Sequence, residues 1–465
     1  MSLQEKIYKN SPYFIKFLLL NVKGYLNYKQ RYNDEYKGFL KEHIDIWDAT
    51  VEKSIDFQKK KLSSLLIEVF SFSDWYSSKM KAKGITLQSI EENPFDVLKQ
   101  MPVLSKNERR ENVDLIVNKN RKTALVGHTS GTSGTPMIDY IDKESINISF
   151  AIWKRFHRVI GINDKIRQVR FSGRLIVETT SKKPPFWVFN YFEKQLLMST
   201  YHLTDDNLPH FIKKLNSFKP VLLDGYPSAI YIISRFINKN NIQLSFIPKA
   251  IAVTAETLYD YQRSEIEKAF QCKVFNQYAS SEGSPFITEC TEGNLHLNID
   301  SGFFEFINVE GKKAQPGEIA KLVVTSFINL KTPLIRYDIG DTVQLAEEGE
   351  TCSCGCLMPI IKKLTGREDD ILWTEEKGYV GRMDTAYKGL KGIIKSQLIQ
   401  RETDKLTVKI VPDTNFTTAV EKELISNLQN RLGQSITIKI ELVDDIPLGA
   451  NGKFKTVIRS FTIDL

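Results

Sequence analysis

Ten consecutive residues, Gly127-His128-Thr129-Ser130-Gly131-Thr132-Ser133-Gly134-Thr135-Pro136, carry three glycines and five hydroxyl side chains. Glycine lets the backbone take positive φ and turn its N–H groups inward, which makes a nest for anions. Serine and threonine hydroxyls add donors suited to phosphate oxygens. An apolar run at 124–126 precedes the stretch and a strand-like run at 137–141 follows it. No Lys-Ser or Lys-Thr pair follows a glycine at the spacing of a Walker loop. The same composition also suits a plain polar turn between strands. What lies downstream decides between the two.

A second group is sulfur-rich. Cys352, Cys354 and Cys356 alternate along a short stretch, and Cys290 and His296 stand well upstream. Two close cysteines with a distant cysteine and histidine form the tetrahedral donor set that structural zinc takes. The expected ligands are Cys290, His296, Cys352 and Cys354, with Cys356 as the alternate. Five cysteines, an odd number in a long chain, do not make a disulfide framework. Reduced thiols without a metal are the other reading.

Elements able to position these groups show in the periodicity. Residues 51–70 read as a helix through Ile55, Leu62, Leu65 and Leu66, and 146–159 has helical spacing. From 221 onward strands alternate with helices: 221–223, 250–253 and 274–278 as strands, 228–237 and 258–270 as helices. Such alternation means right-handed βαβ units and a parallel sheet. Ligands on such sheets sit beyond the carboxyl ends of the strands. That rim carries Asp224-Gly225-Tyr226, Thr254-Ala255-Glu256 and Tyr278-Ala279-Ser280-Ser281-Glu282. Past 298 the chain turns strand-rich. Its last segment, with strands at 406–411 and 436–442 around a helix at 420–432, reads as a separate α+β domain.

The chain has 465 residues, 42% hydrophobic and 26% charged, which excludes disordered, collagenous and membrane classes. The apolar run at 14–22 is too short to span a bilayer and carries Lys16. It also lacks a signal-peptide cleavage site, so a cytoplasmic location is expected. The net charge is +8, but 64 basic residues are interspersed with 56 acidic ones and no basic arm forms. Nucleic acid is therefore not an expected partner, whereas an anionic substrate is.

The order of motifs resembles the adenylate-forming acyl-CoA synthetases, and within them the phenylacetate–CoA ligase branch with its CapK-like, capsule-biosynthesis members. The resemblance spans about residues 94–460. Thr129, Ser130, Gly131, Thr132, Ser133 and Gly134 are similar to that family's phosphate loop. Tyr278 to Glu282 resemble its aromatic–Thr–Glu motif, with Ser281 in the threonine place. Arg336-Tyr337-Asp338-Ile339-Gly340-Asp341 resembles the ribose motif, Gly366-Arg367-Glu368-Asp369-Asp370 the hinge motif, and Asn451-Gly452-Lys453 the C-terminal lysine motif.

The resemblance implies an α/β fold. A large adenylating domain with parallel-sheet βαβ units would span residues 1–366, and a smaller mobile α+β domain residues 367–465. It implies ATP and Mg²⁺, a small-molecule carboxylic acid, and CoA as the favoured acceptor. Glu282 would hold Mg²⁺, Asp341 the ribose and Tyr278 the adenine, with Thr254, Ala255 and Glu256 lining the purine pocket. Lys453, Glu282 and Arg367 would be catalytic, Arg367 also touching nucleotide, and Asp369 would be the pivot. Met137 departs from the polar residue many relatives carry there, and 373–391 follows the CapK-like pattern, which leaves aryl specificity open. Two alternatives stand beside CoA ligation. One is transfer of the acyl group to an amine or sugar in capsule or O-antigen synthesis. The other is an inactive nucleotide-binding protein, against which the set Glu282, Asp341, Arg367 and Lys453 argues.

Overall fold

The computed structural model describes residues 11–129, 137–178, 181–280, 282–308, 310–367, 372–376, 378–380, 383–387, 390–447 and 454–461. Three long helices come first among the described residues: α1 (Tyr13–Arg31), α2 (Asp34–Trp47) and α3 (Val51–Phe72). Asn33 and Thr50 start α2 and α3 by accepting the backbone N–H groups of Tyr36 and Lys53. In α3 the residues at helical spacing, Leu62, Leu65, Leu66 and Val69, are buried, as the periodicity predicts. Ile55 of the same pattern is exposed. Five short helices between Asp74 and Ile116 complete this N-terminal layer.

A hairpin follows, β1 (Leu125–Thr129) paired antiparallel with β2 (Met137–Ile141). Its connecting residues, 130–136, lie outside the described residues. Tyr140 exchanges backbone hydrogen bonds of 3.0 and 2.9 Å with the Thr332 hydroxyl, which docks the hairpin on the body. Helix α4 (Lys143–Val159) begins at Asp142, whose carboxylate accepts from Ser145 N at 2.7 Å.

The large sheet is built from β3 (Gln168–Ser172), β4 (Trp187–Asn190), β5 (Gln195–Ser199), β6 (Leu222–Gly225), β7 (Ala250–Thr254) and β8 (Val274–Ala279). It continues through β9 (Phe286–Glu289), β10 (Leu295–Leu297), β11 (Gly302–Ile307), β12 (Ile319–Ser326), β13 (Tyr337–Leu345) and β14 (Ile360–Arg367). The twelve strands run in the order β11-β12-β13-β14-β10-β9-β8-β7-β6-β3-β5-β4. Strands β5, β3, β6, β7 and β8 are mutually parallel, while the other pairings are antiparallel. The sheet is thus mixed, with the expected βαβ units forming only its parallel part. Helices α5 (Leu208–Phe218), α6 (Pro227–Lys239) and α7 (Asp260–Phe270) connect those strands. They bury Phe211, Ile230, Ile233, Ile266 and Phe270 against Leu223, Ile251 and Val253. Each such side chain contributes roughly 1.5–3 kcal/mol by leaving water. The N-terminal helices form a second core against β11–β13 through Leu62, Leu66, Leu322, Val324 and Tyr337.

After β14 come a short hairpin, β15 (Leu372–Thr374) with β16 (Gly378–Val380), and a four-stranded sheet. That sheet runs β19-β18-β17-β20, from β17 (Ile393–Glu402), β18 (Lys405–Pro412), β19 (Thr437–Leu442) and β20 (Val457–Arg459). Helix α8 (Thr418–Leu432) crosses from β18 to its parallel neighbour β19. Leu424, Leu428 and Leu432 on α8 pack on Leu406, Val408 and Ile410, whose alternation faces one side of β18. This core shares no buried residue with the other two. The expected domain boundary at 366/367 falls at the last residues of β14.

Candidate nucleotide site and cysteine cluster

The carboxyl ends of β6, β7 and β8 lie side by side, as parallel pairing demands. Gly225 at the end of β6 has φ +142°, and a Cβ there would meet the Phe171 carbonyl oxygen at 2.0 Å. Only glycine lets the two strand ends approach this closely. Pro227 then opens α6 at its first turn, where its missing N–H costs nothing.

At the end of β7, Thr254 is buried and Ala255 takes a left-handed φ of +70°. That turn aims Glu256 back at α6, where one carboxylate oxygen accepts Ser228 N at 3.2 Å. A negative charge at a helix N-terminus is favourable. The other oxygen accepts the backbone N–H of Phe454 at 3.0 Å. Phe454, the residue after Lys453 in the sequence, thus meets the rim at Glu256. Two further contacts join the domains: Arg235 pairs with Asp413, and Tyr259 Oη donates to Thr456 at 3.2 Å.

At the end of β8, the Tyr278 hydroxyl donates to Asp341 on β13. The two residues are 63 apart in the chain, so the fold alone joins them. Asp341 is buried and, in the β13–β14 register, sits opposite Arg367. The Asx turn at Gly340 belongs to Asp338, whose carboxylate accepts Gly340 N at 2.9 Å. Ala279 and Ser280 continue the rim, and Ser280 donates its hydroxyl to the carboxylate of buried Glu282. Of the expected phosphate loop, Thr129 ends β1. Ser130, Gly131, Thr132, Ser133 and Gly134 lie outside the described residues, as do Ser281, Asp369 and Lys453.

Sequence reading missed the ion pair behind the hairpin. Buried Arg109 pairs with buried Asp139 of β2, and its Nη1 donates to Met137 Sδ at 3.1 Å. Burial pushes the Asp139 carboxyl up to about 6 despite Arg109, and the charge of Glu282 adds to that rise. Met137, the departure from the family pattern, therefore packs inward against Arg109. In the aromatic stretch at 184–190, Phe186 is fully buried and stacks with Phe211 and His202.

The cysteine cluster is compact. Ligand atoms of Cys290, His296, Cys352 and Cys354 all lie within 4.8 Å of one another. Cys290 Sγ and Cys352 Sγ are 3.6 Å apart, and Cys354 Sγ is 3.4 Å from His296 Nε2. Tetrahedral zinc, with Zn–S near 2.3 Å, needs donor atoms about 3.5–3.8 Å apart. His296 Nδ1 lies 3.1 Å from the Met358 carbonyl, the second-shell bond that leaves Nε2 facing the sulfurs. Burial opposes a thiolate at Cys352, but N–H donors from Cys354 and Asn294 bring the thiol down to about 6. Cys356 stays outside the four and gives its backbone N–H to Cys354 Sγ at 3.5 Å. Trp47 of α2 covers His296 edge-on, a contact no local sequence pattern announces.

A depression of about 480 Å³ lined by Ile212, Phe236 and Ile242 lies along α5 and beside the C-terminal end of α6. It holds none of the chemistry above.

Known proteins share both the sequence and the architecture. The chain is 34% identical over 466 aligned residues to Protein CapK of Staphylococcus aureus, covering 98% of this chain and 99% of that one. Residues 372–460 match the CapK C-terminal domain family. Indoleacetate–lysine synthetase of Pseudomonas savastanoi is 25% identical over 264 residues, 55% of this chain and 62% of that protein. The solved structure of 2-hydroxyisobutyryl-CoA ligase in the postadenylation state, in complex with R3-HIB-AMP, superposes with a TM-score of 0.71 at 17% identity. It covers 90% of this chain and 91% of its own, a likeness in fold. The architecture is accordingly that of the adenylate-forming ligases. Within that superfamily, the chain belongs to the CapK family. Among the described residues no helix is long and apolar enough to cross a membrane.

Proposed function

We propose that this protein is an ATP-dependent carboxylic acid ligase that forms an acyl-adenylate and pyrophosphate, then passes the acyl group to CoA. The observation that carries the reading is the Tyr278–Asp341 hydrogen bond, which pairs an aromatic ring with a carboxylate at the rim of the parallel strands. A purine stacks on such a ring, and a carboxylate accepts both ribose hydroxyls. Buried Glu282 is suited to Mg²⁺, which shares its coordination among carboxylate, phosphates and water. The hairpin β1–β2 would present its Gly/Ser/Thr loop to the phosphates, with Arg367 beside the nucleotide. Lys453 would bring its ammonium to the point where carboxylate and α-phosphate, both anionic, meet in the transition state. The contact of Phe454 with Glu256 supports that role. Residues 367–465 would move about Asp369 between the two half-reactions, and the cytoplasm would supply ATP and CoA.

Cys290, His296, Cys352 and Cys354 fit a structural zinc, which would tie β9, β10 and the 352–356 loop together. Its chemistry is cross-linking, not catalysis.

An amine or sugar acceptor in surface-polysaccharide assembly is the second reading. It is favoured by membership of the CapK family and by a relative named for joining indoleacetate to lysine. Pyrophosphate release against a panel of acids, followed by product analysis with CoA, lysine or amino sugars, tests both. CoA-dependent thioester formation supports the first reading, amide formation the second. Acid-independent ATP hydrolysis, or no pyrophosphate with any acid, would contradict both.

A further inference from the structure

Helix α1 packs on β4, the edge strand of the large sheet, and has two unlike sides. The side toward the body is held by polar bonds. Asn21 donates to the Phe189 carbonyl at 2.9 Å and accepts the Tyr191 N–H at 2.9 Å. Arg31 pairs with Glu193 at 2.7 Å, and Tyr13 Oη donates to the Trp187 carbonyl at 3.1 Å. Gly24 sits so close to Asn190 that a Cβ would meet its Oδ1 at 2.7 Å. Phe17 and Leu20 complete this side by packing on Val188 and Leu197. Together these contacts fix the rotation of the helix about its axis. The opposite side is apolar and faces water. Phe14, Leu18, Val22 and Leu26, spaced four apart, are 74%, 53%, 53% and 61% exposed, and exposed Ile15 and Leu19 widen the stripe. From Phe14 to Leu26 it runs about 18 Å, at 1.5 Å per residue. The turn between β4 and β5 extends it. Exposed Tyr191 and Phe192 stand there, with the Phe192 ring 5.1 Å from that of Tyr25.

A surface helix ordinarily turns its apolar stripe toward the core. Here a continuous apolar stripe is turned outward, which marks an interaction surface. The charges around it select the partner. Helix α1 contains no Asp or Glu. Lys23 and Lys29 on α1 and Lys194 on the turn are exposed, and the Lys29 ammonium lies 5.1 Å from the centre of the Tyr25 ring. The one carboxylate of α1 and residues 191–194, that of Glu193, is engaged with Arg31. Two-fold pairing of this face with its own copy would bring two cationic faces together. An anionic lipid surface instead offers apolar depth to the stripe and negative charge to the lysines. Tyrosines at the edge of such a patch suit the headgroup level. The helix would lie in the plane of the interface, since no described helix is long and apolar enough to cross a membrane.

We propose that the outer side of α1, with the turn at Tyr191 and Phe192, docks this protein on an anionic phospholipid bilayer. The inference stands on this face alone and does not depend on the ligase reading. The test is co-sedimentation of the full chain with vesicles of phosphatidylcholine, or of phosphatidylcholine and phosphatidylglycerol in equal parts. Wild type is expected to bind the anionic vesicles at least about tenfold more tightly than the neutral ones, the scale of two lysines at a charged surface. The double variant Leu18→Gln/Val22→Gln removes apolar side chains that already face water and should lose at least about tenfold on anionic vesicles. Lys23→Gln/Lys29→Gln should lose the preference for anionic over neutral lipid. Wild type that stays in solution with both vesicles, or variants that bind as wild type does, overturn the proposal. A dimer in sedimentation velocity that Leu18→Gln/Val22→Gln dissociates, with no vesicle binding by wild type, gives the face to a second copy and also overturns it. Should the variants fail to fold, photo-crosslinking of wild type to anionic vesicles containing a diazirine-bearing phosphatidylglycerol keeps the question open to measurement. Label on residues 13–31 and 191–192 upholds the site, and label confined elsewhere, or none, overturns it.

Discussion

Tyr278, Glu282 and Asp341 were legible as single residues because each sits in a short motif, but their partners were not. The bond from Tyr278 to Asp341 joins β8 to β13, strands that are not neighbours in the sheet. Arg109 and Asp139 gave no signal at all, since a lone arginine in a short helix and a lone aspartate in a hairpin are ordinary surface residues. Burial makes them unusual. With its carboxyl raised to about 6, Asp139 binds its proton more tightly folded than unfolded. Its contribution to stability is therefore present below the ordinary carboxylate range near 4 and is lost as pH rises through about 6. Asp139→Asn should remove that slope, on the order of 2–3 kcal/mol between those limits. Urea unfolding of both proteins at several pH values between 4 and 7 checks it. Parallel stability curves would contradict it.

At the scale of elements, periodicity located β6 to β8 and α6 to α8 well, since each carries its own apolar spacing. It did not reveal β3, β4 and β5, whose partners are set by long-range pairing. The twelve-stranded extent of the sheet was equally invisible, because antiparallel and parallel neighbours meet at β8–β9 without a local marker. The cysteine spacing announced a metal knuckle, but three cysteines alternating in one loop left the choice among them to the fold. The ligand atoms that lie within 4.8 Å of one another are those of Cys290, His296, Cys352 and Cys354. Protein purified without chelator should carry about one equivalent of zinc, and stripping it should lower thermal stability while nucleotide binding persists. Metal analysis checks the first point and calorimetric titration with AMP the second. A metal-free protein of unchanged stability would remove zinc from the account.

On the whole-molecule scale, the two largest helix-and-sheet cores lie in the large body and a third lies in the small domain. Glu256, Tyr259 and Arg235 reach from the body to Phe454, Thr456 and Asp413. Such a polar interface holds one arrangement without welding it, which would suit the proposed movement of the small domain between half-reactions. Two of these contacts, at Phe454 and Thr456, closely follow Lys453 in the sequence, where a lysine read alone would mean only a solvated loop. The central claim is that carboxylate and ATP react at this junction. Acid-dependent exchange of labelled pyrophosphate into ATP, in the absence of any acceptor, measures that step alone. Wild type should exchange label only when its acid is present, and Lys453→Ala should lose at least about a hundredfold, the scale of a missing transition-state charge. Exchange that survives Lys453→Ala undiminished, or that needs no acid, would contradict the account.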